Sequence, residues 1–313
     1  KPGEFARIMR FEVDMLLDKE VTDLWGNTAR LRYTRLRYRV EIERFTNKSG
    51  IEDLVVRAEH LENFKHKDDK WVRRIPSGVL EQWRPKVKSG RRTVPYIKTE
   101  LERDLPVVLV PQDGTQGGNK RRFPLKNASR TVLSSFDTID FPHALGAKQE
   151  MLGWEFSQLN PEALRQPTDK NSGEDTIAED GQYLAAALNR IKQEDPYHLK
   201  IILRKLQQFL PQFIRLDVID DNANKQYLIQ LQDKHHKVYS SRVLSEGTLR
   251  ILALCVLDQD PWHTGLLCFE EPENGVHPYR IGNMAELLQA LSVDFNDTGM
   301  PLRQVIVNTH SSV

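Results

Sequence analysis

The chain has 313 residues, 39% hydrophobic and 28% charged, with a formal net charge of +1. These proportions fit an ordinary globular protein of one or two domains and exclude a uniformly basic nucleic-acid binder, leaving only local patches. The longest apolar run falls far short of the roughly 20 residues of a membrane span. No signal peptide is visible, and the two cysteines, Cys255 and Cys268, read as small buried hydrophobes suited to a reducing cytosol, so a cytoplasmic location is expected.

Residues 6–45 read as strands. Phe11, Val13 and Met15 alternate with Glu12 and Asp14, and Leu36, Tyr38, Val40 and Ile42 alternate with Arg37, Arg39, Glu41 and Glu43. That two-residue period gives one wet and one dry face. Ile51 to Ala58 adds a further strand, and Val107 to Val110 a core strand. Between them, Arg84, Lys86, Lys88, Arg91, Arg92 and Lys98 are interleaved with Trp83 and Tyr96, and a second basic cluster, Lys120, Arg121, Arg122 and Lys126, follows GTQGGN. Basic residues among aromatics can grip a nucleic-acid backbone. A solvated charged face is the favoured reading of both clusters.

Residues 143–212 read as mainly helical. Asp169 to Asp180 is polar and turn-like, Leu184, Leu188 and Ile191 mark one helix, and Asp195-Pro196 caps the next, whose face is Leu199, Ile202, Leu206 and Phe209. Residues 213–241 read as a β-meander, with Ile214, Leu216 and Val218 alternating one way and Tyr227, Ile229 and Leu231 the other. His235 and His236 fall in its turn. They lack the cysteine or carboxylate company of a metal site.

The chemistry concentrates between Leu244 and His310. Leu244-Ser245-Glu246-Gly247-Thr248 puts a hydroxyl and a glycine just ahead of a helix, where free N–H groups and a partial positive charge make an anion site. Gly265 to Phe269 has the composition of a buried parallel strand and ends in Glu270-Glu271. Adjacent carboxylates on one strand point to opposite sides, so one can approach a magnesium ion while the other orients and polarises an attacking water. Pro278 opens a helix with Ile281, Met284, Leu288 and Leu291 on one face. Val305 to Val307 is a second buried strand delivering His310 to the same edge, where doubly wound sheets keep their ligands. His277 is expected to orient the turn after Glu273-Asn274-Gly275.

In order, LSEGT, LLCFEEPE, ENGVHP and NTHSS resemble the signature loop, Walker B strand, D-loop and histidine switch of ABC-class ATPase heads, in the RecF-like, SMC-like and OLD-family branch of AAA-type predicted ATPases. The chain departs from the commonest Walker B at Glu270, where aspartate is usual. The resemblance implies an α/β P-loop NTPase (ABC-type) head with a parallel core sheet, an antiparallel β subdomain and a helical subdomain. Residues 1–142 would be the remainder of the N-terminal ATPase lobe, 143–212 the helical subdomain and 213–313 the signature, Walker B and switch lobe. It further implies ATP and Mg2+ as ligands, Glu271 as general base, Glu270 on magnesium and His310 on the γ-phosphate. Ser245, Glu246 and Gly247 would act on the nucleotide of a second head, with Asn274 and Gly275 in the D-loop. Gln149 or Gln158 is a candidate for the glutamine that links nucleotide to the helical subdomain, a structural role being favoured for each. No GxxxxGK[ST] occurs, so the chain reads as a fragment without its P-loop. The implied partners are a second ATPase head, DNA and a nuclease domain or partner, with no membrane. The alternative is an ATP-gated clamp or scaffold with slow hydrolysis acting on a protein partner.

Overall fold

A computed structural model describes residues 7–46, 49–64, 68–85, 94–112, 120–295 and 302–311. Residues 86–93 of the first basic cluster lie outside the described residues. The chain divides into two compact units, Lys1–Leu152 and Gly153–Val313.

The first unit is built on a six-stranded antiparallel sheet. Its strands are β1 (Ile8–Leu16), β4 (Arg35–Thr46), β5 (Glu52–Asn63), β6 (Ile97–Glu102), β7 (Leu105–Pro111) and β8 (Lys120–Pro124), in that spatial order. The small hairpin β2 (Glu20–Thr22) and β3 (Thr28–Arg30) and the helices α1 (Ser77–Trp83) and α2 (Pro142–Leu152) complete it. The alternating stretches pair as their period requires: Val13 opposes Tyr38 and Tyr38 opposes Leu61, with Tyr38 and Leu61 buried. The wet face is a ladder of opposite charges. Arg37 pairs with Asp14 and Glu12, Arg39 with Glu12 and Glu62, and Arg10 with Glu41. Each exposed pair is worth little in stability, but together they leave the face nearly neutral. In the second basic cluster Arg122 pairs with Glu102 and Arg121 lies 4.6 Å over Phe141. One carboxylate is deep in the core: Glu59 accepts from the backbone N–H groups of Val132 (2.6 Å) and Leu133 (2.8 Å) and from the Tyr38 hydroxyl (3.1 Å).

The second unit holds the parallel sheet, in the order β15 (Arg303–Asn308), β14 (Gly265–Glu270), β9 (Glu155–Ser157). Residues 155–157, within the stretch read as mainly helical, thus form a core strand. Around the sheet lie α3 (Pro161–Arg165), α4 (Leu184–Glu194), α5 (Pro196–Phe209), α6 (Glu246–Gln259) and α7 (Ile281–Leu291). An antiparallel sheet of β10 (Thr168–Asp169), β11 (Phe213–Asp221), β12 (Gln226–Asp233) and β13 (Val238–Ser240) completes the unit. The class is therefore mixed α/β with a parallel sheet. Helix α6 is buried on every side from Gly247 to Leu257, as a helix apolar all round must be. Leu267 and Phe269 join α6 and α7 in one core.

The other face of that sheet is uncovered. Phe156, Cys268 and Ile306 stand in register across the three strands, with Phe156 63% and Ile306 49% exposed. Cys268 is half-buried, a correction to its expected burial, because its side chain belongs to this open face. Cys255, inside α6, is buried as expected, and burial pushes its thiol pKa up to about 12.

The opposite ends of the strands are pinned by a buried polar network. Asp260 is fully buried and accepts from Arg190 Nη2 at 2.6 Å, while Arg303 donates to the carbonyls of His263 and Asp260, both at 2.8 Å. His263 Nδ1 lies 2.8 Å from Glu155. This fixes the loop between α6 and β14, and with it the entry of β14 into the sheet.

Candidate functional site

Three segments meet at the carboxyl ends of β14 and β15. Asn308 donates to both oxygens of Glu270 (2.9 and 3.0 Å), Thr309 donates to Glu273, and His310 Nε2 lies 3.0 Å from Glu271. Three successive residues at the end of β15 are therefore laced to three carboxylates at and just past the end of β14. Asn274 Nδ2 donates to the other oxygen of Glu271 at 2.6 Å. Burial raises the Glu273 pKa, but hydrogen bonds from Thr309 and from the backbone around residues 310 and 311 outweigh it, and the net value is below the ordinary carboxylate range.

The expectation that Glu270 and Glu271 share one strand is corrected. Glu270 ends β14, whereas Glu271 has φ +44°, a left-handed turn conformation. The two carboxylates diverge because the backbone turns, not because a strand alternates. Glu270 faces Asn308, and Glu271 faces His310 and Asn274.

The signature-like segment forms as its composition requires. Ser245 is the N-cap of α6, its Oγ accepting from Thr248 N at 3.3 Å and lying 2.8 Å from the Thr248 hydroxyl. Gly247 packs so closely on the turn after β14 that a Cβ built on it would overlap the carbonyl oxygen of Gly275, which itself has φ +75°. The first turn of α6 and the turn 271–276 are thus in backbone contact, which only glycine permits. His277 caps the turn that follows, accepting from Tyr279 N at 3.4 Å.

Beside this lacework lies a cleft of about 960 Å³. Glu270 and Asn308 line it from the strand ends, Phe156 and Ile306 from the open sheet face, and Arg250 from α6. The remaining wall is the segment 157–161 with Glu179 and Asp180, held together by Gln158 N donating to Glu179 O (2.9 Å) and Asn160 N to Asp180 O (2.8 Å). Of the residues singled out from sequence for a site, Glu270 lines the cleft; Ser245, Glu246, Gly247, Glu271, Asn274, Gly275 and His310 do not. Of the two candidate glutamines, Gln158 lines it, whereas Gln149 donates to the carbonyl of Thr22 at 2.6 Å. Sequence reasoning missed Arg250, Asn308 and the 179–180 segment. Arg250 had a signal: it is the one cation in α6 and interrupts the apolar run from Leu249 to Leu257.

Glu179, Asp180 and Glu270 are hard oxygen donors of the kind magnesium takes. Among the described residues no three His, Cys, Asp or Glu side chains form a complete metal cage. No described helix is long and apolar enough to cross a membrane.

A parallel sheet whose strand ends gather carboxylate, amide and imidazole groups beside a cleft is an α/β ligand-binding domain, with its ligand where such folds hold theirs. Residues 34–313 match the family described as "AAA domain, putative AbiEii toxin, Type IV TA system", and the chain belongs to that family. It is an AAA-type ATPase domain. No curated protein matches the chain. Among solved structures, the Smc head domain with a coiled coil and joint from Pyrococcus yayanosii is 13% identical with a TM-score of 0.27, over 39% of this chain and 25% of that one. A likeness that slight carries no argument, and the match spans a quarter of that protein.

Proposed function

We propose that the chain is an ATP-hydrolysing head of the RecF-like and OLD-family kind, which closes in pairs around ATP. The observation that carries this is the division of the site. Ser245 and Glu246 are exposed at the N-terminus of α6 and stand outside the cleft that Glu270 lines. A signature segment so exposed serves a nucleotide held by a second head, while Glu270 in the cleft, with Glu271 next to it in the chain, serves its own.

Within one head, Glu270 would hold magnesium, which would supply charge neutralisation at the phosphates. Glu271 accepts the proton of the attacking water, oriented by Asn274 and His310, and His310 also reaches the γ-phosphate. Ser245 and the N–H groups of α6 receive that phosphate from the other side. Loss of the phosphate that both heads grip releases the pair, so ATP is both substrate and adhesive.

The uncovered sheet face supports a further part of the reading. Parallel sheets are covered on both faces, yet Phe156, Cys268 and Ile306 are open, and β15 has a free edge among the described residues. A strand, phosphate-binding loop and helix seated there would complete both the sheet and the nucleotide site. Coupling to DNA, in repair or antiphage defence and with control of a nuclease, follows from the motif resemblance to RecF-like and OLD-family heads.

The test is ATP turnover by the protein with and without duplex DNA, beside Glu271→Gln. Turnover that responds to DNA, with a variant that is inactive yet dimerises in ATP, is the expected result. Turnover indifferent to DNA points instead to an ATP-gated clamp or scaffold answering to a protein partner. Normal hydrolysis by Glu271→Gln refutes the assignment of the carboxylates.

A further inference from the structure

The two edges of the six-stranded sheet in the first unit are built differently. Strand β8 carries Lys120, Arg121 and Arg122 in succession and ends in Pro124. A second copy laid antiparallel on those residues would set cation against cation, which is how sheet edges are commonly defended. Strand β1 lacks that defence. It contains no lysine or proline, and Phe11 and Met9 on it are 54% and 39% exposed.

The backbone fixes which groups β1 offers. Arg44 N donates to Arg7 O at 2.9 Å and Leu17 N to Thr34 O at 2.8 Å, and between them the β1–β4 register runs without a shift. The odd-numbered residues therefore turn their N–H and C=O groups toward β4, and Ile8, Arg10, Glu12 and Asp14 turn theirs outward. Among the described residues no further strand takes these groups. Side chains alternate as well: Met9, Phe11 and Val13 share one face, and Arg10, Glu12 and Asp14 share the other.

A second copy of β1 can meet these groups about a two-fold axis. Antiparallel copies keep like faces together only when the axis falls on a residue. On Arg10 the axis would oppose two arginines, and on Glu12 two glutamates. On Val13 it would set Glu12 against Asp14. On Phe11 it sets Arg10 against Glu12 of the other copy in both directions, Met9 against Val13, and Phe11 against itself. Arg10 and Glu12 then form hydrogen-bonded pairs with their outward groups. The two Phe11 residues form a non-hydrogen-bonded pair, where side chains come closest. Only the end pairs, Ile8 with Asp14, are mismatched.

We propose that two copies of this chain join through β1, antiparallel about a two-fold axis at Phe11, in the absence of nucleotide. This interface is separate from the ATP-dependent pairing above and stands or falls independently of it.

The test is made without nucleotide. Sedimentation velocity should show a monomer–dimer equilibrium. Phe11→Lys, which sets two cations at the axis, should raise the dimer Kd by on the order of tenfold or more. Register is read by cysteine. Non-hydrogen-bonded partners have Cα atoms about 4.5 Å apart, within disulfide reach, so Phe11→Cys should cross-link under mild oxidation. Two copies of Met9, or two of Val13, would lie roughly 13 Å apart along the strands, so Met9→Cys and Val13→Cys should not. Wild type controls for Cys255 and Cys268. A wild type that stays monomeric throughout the micromolar range refutes the interface. So does unchanged dimerisation of Phe11→Lys, or equal cross-linking at all three positions. Growth beyond the dimer overturns it in favour of β1 meeting β8 of the next copy.

Discussion

Replacing Gly247 by alanine adds one methyl group where two backbones already touch. Glycine in a helix is normally a liability, and alanine there gains about 0.5–1 kcal/mol. At Gly247 the new Cβ would overlap the Gly275 carbonyl oxygen, a backbone atom that cannot swing aside. Overpacking of that kind costs about 1–3 kcal/mol, and an unyielding backbone atom puts Gly247 toward the upper end, so the net effect is a loss of up to about 2.5 kcal/mol. At about 2–4 °C per kcal/mol for a unit of this size, the melting temperature should fall by up to roughly 10 °C. Gly282 gives the control, since it stands near the start of α7 with nothing within 4 Å of a built Cβ. Gly282→Ala should raise the melting temperature by a few degrees. Differential scanning calorimetry on both variants reads the two signs directly. If Gly247→Ala melts at or above wild type, the backbone contact between α6 and the turn 271–276 is not a determinant of the fold. The positioning of Glu271 through that contact then fails as well.

Asp260→Ala leaves Arg190 Nη2 without its buried carboxylate, with Glu194 and the Asp175 carbonyl still on the other nitrogens, so the cost should approach about 3 kcal/mol, the lower end for breaking a buried pair; urea unfolding should show the midpoint lowered by roughly 1–3 M, and a shift under about 0.3 M would refute the network's role. Ser245→Ala removes the α6 cap and should cost about 0.5–2 kcal/mol, measured in the same assay. Glu59 has its pKa raised, chiefly by burial, from an ordinary value of 4.5. Between that value and its native one the folded protein holds a proton the unfolded chain has released, so its contribution to stability falls as pH rises through the window. Subtracting the Glu59→Gln stability curve from wild type across mild acid to neutral pH should expose that slope, and a difference independent of pH contradicts it. Iodoacetamide followed by mass spectrometry should modify Cys268 slowly in this chain and leave Cys255 untouched until unfolding. Protection of Cys268 in the intact protein is the outcome expected if a further segment covers the open sheet face.

Much of the fold was legible because its signals are local. The two-residue alternation around Val13 and Tyr38 needs only a wet and a dry side, and β1, β4 and β5 pair accordingly. The Asp195-Pro196 cap and the Leu199, Ile202, Leu206 face appear as α5, with the Asp195 side chain accepting from Tyr197 N at 2.9 Å. Strand β9 was not legible. Its three residues hold no pattern of their own and become a strand only because β14 offers them an edge. Nor could Glu271 be placed, since its positive φ is imposed by the turn and by its backbone bond to the Asn308 carbonyl at 2.8 Å.

The residue sequence alone determined which elements exist and which groups carry charge at the site: the cap at Ser245, the acidic end of β14, the imidazole after β15. Periodicity, capping and strand composition act over a few residues, so they survive in one dimension. Only the tertiary structure decided which of these groups face one another. It laced Asn308, Thr309 and His310 to Glu270, Glu273 and Glu271, set Gly247 against Gly275, opened one sheet face and buried Arg250. Those relations join segments tens of residues apart, and the packing of α6 and α7 against the sheet brings them together.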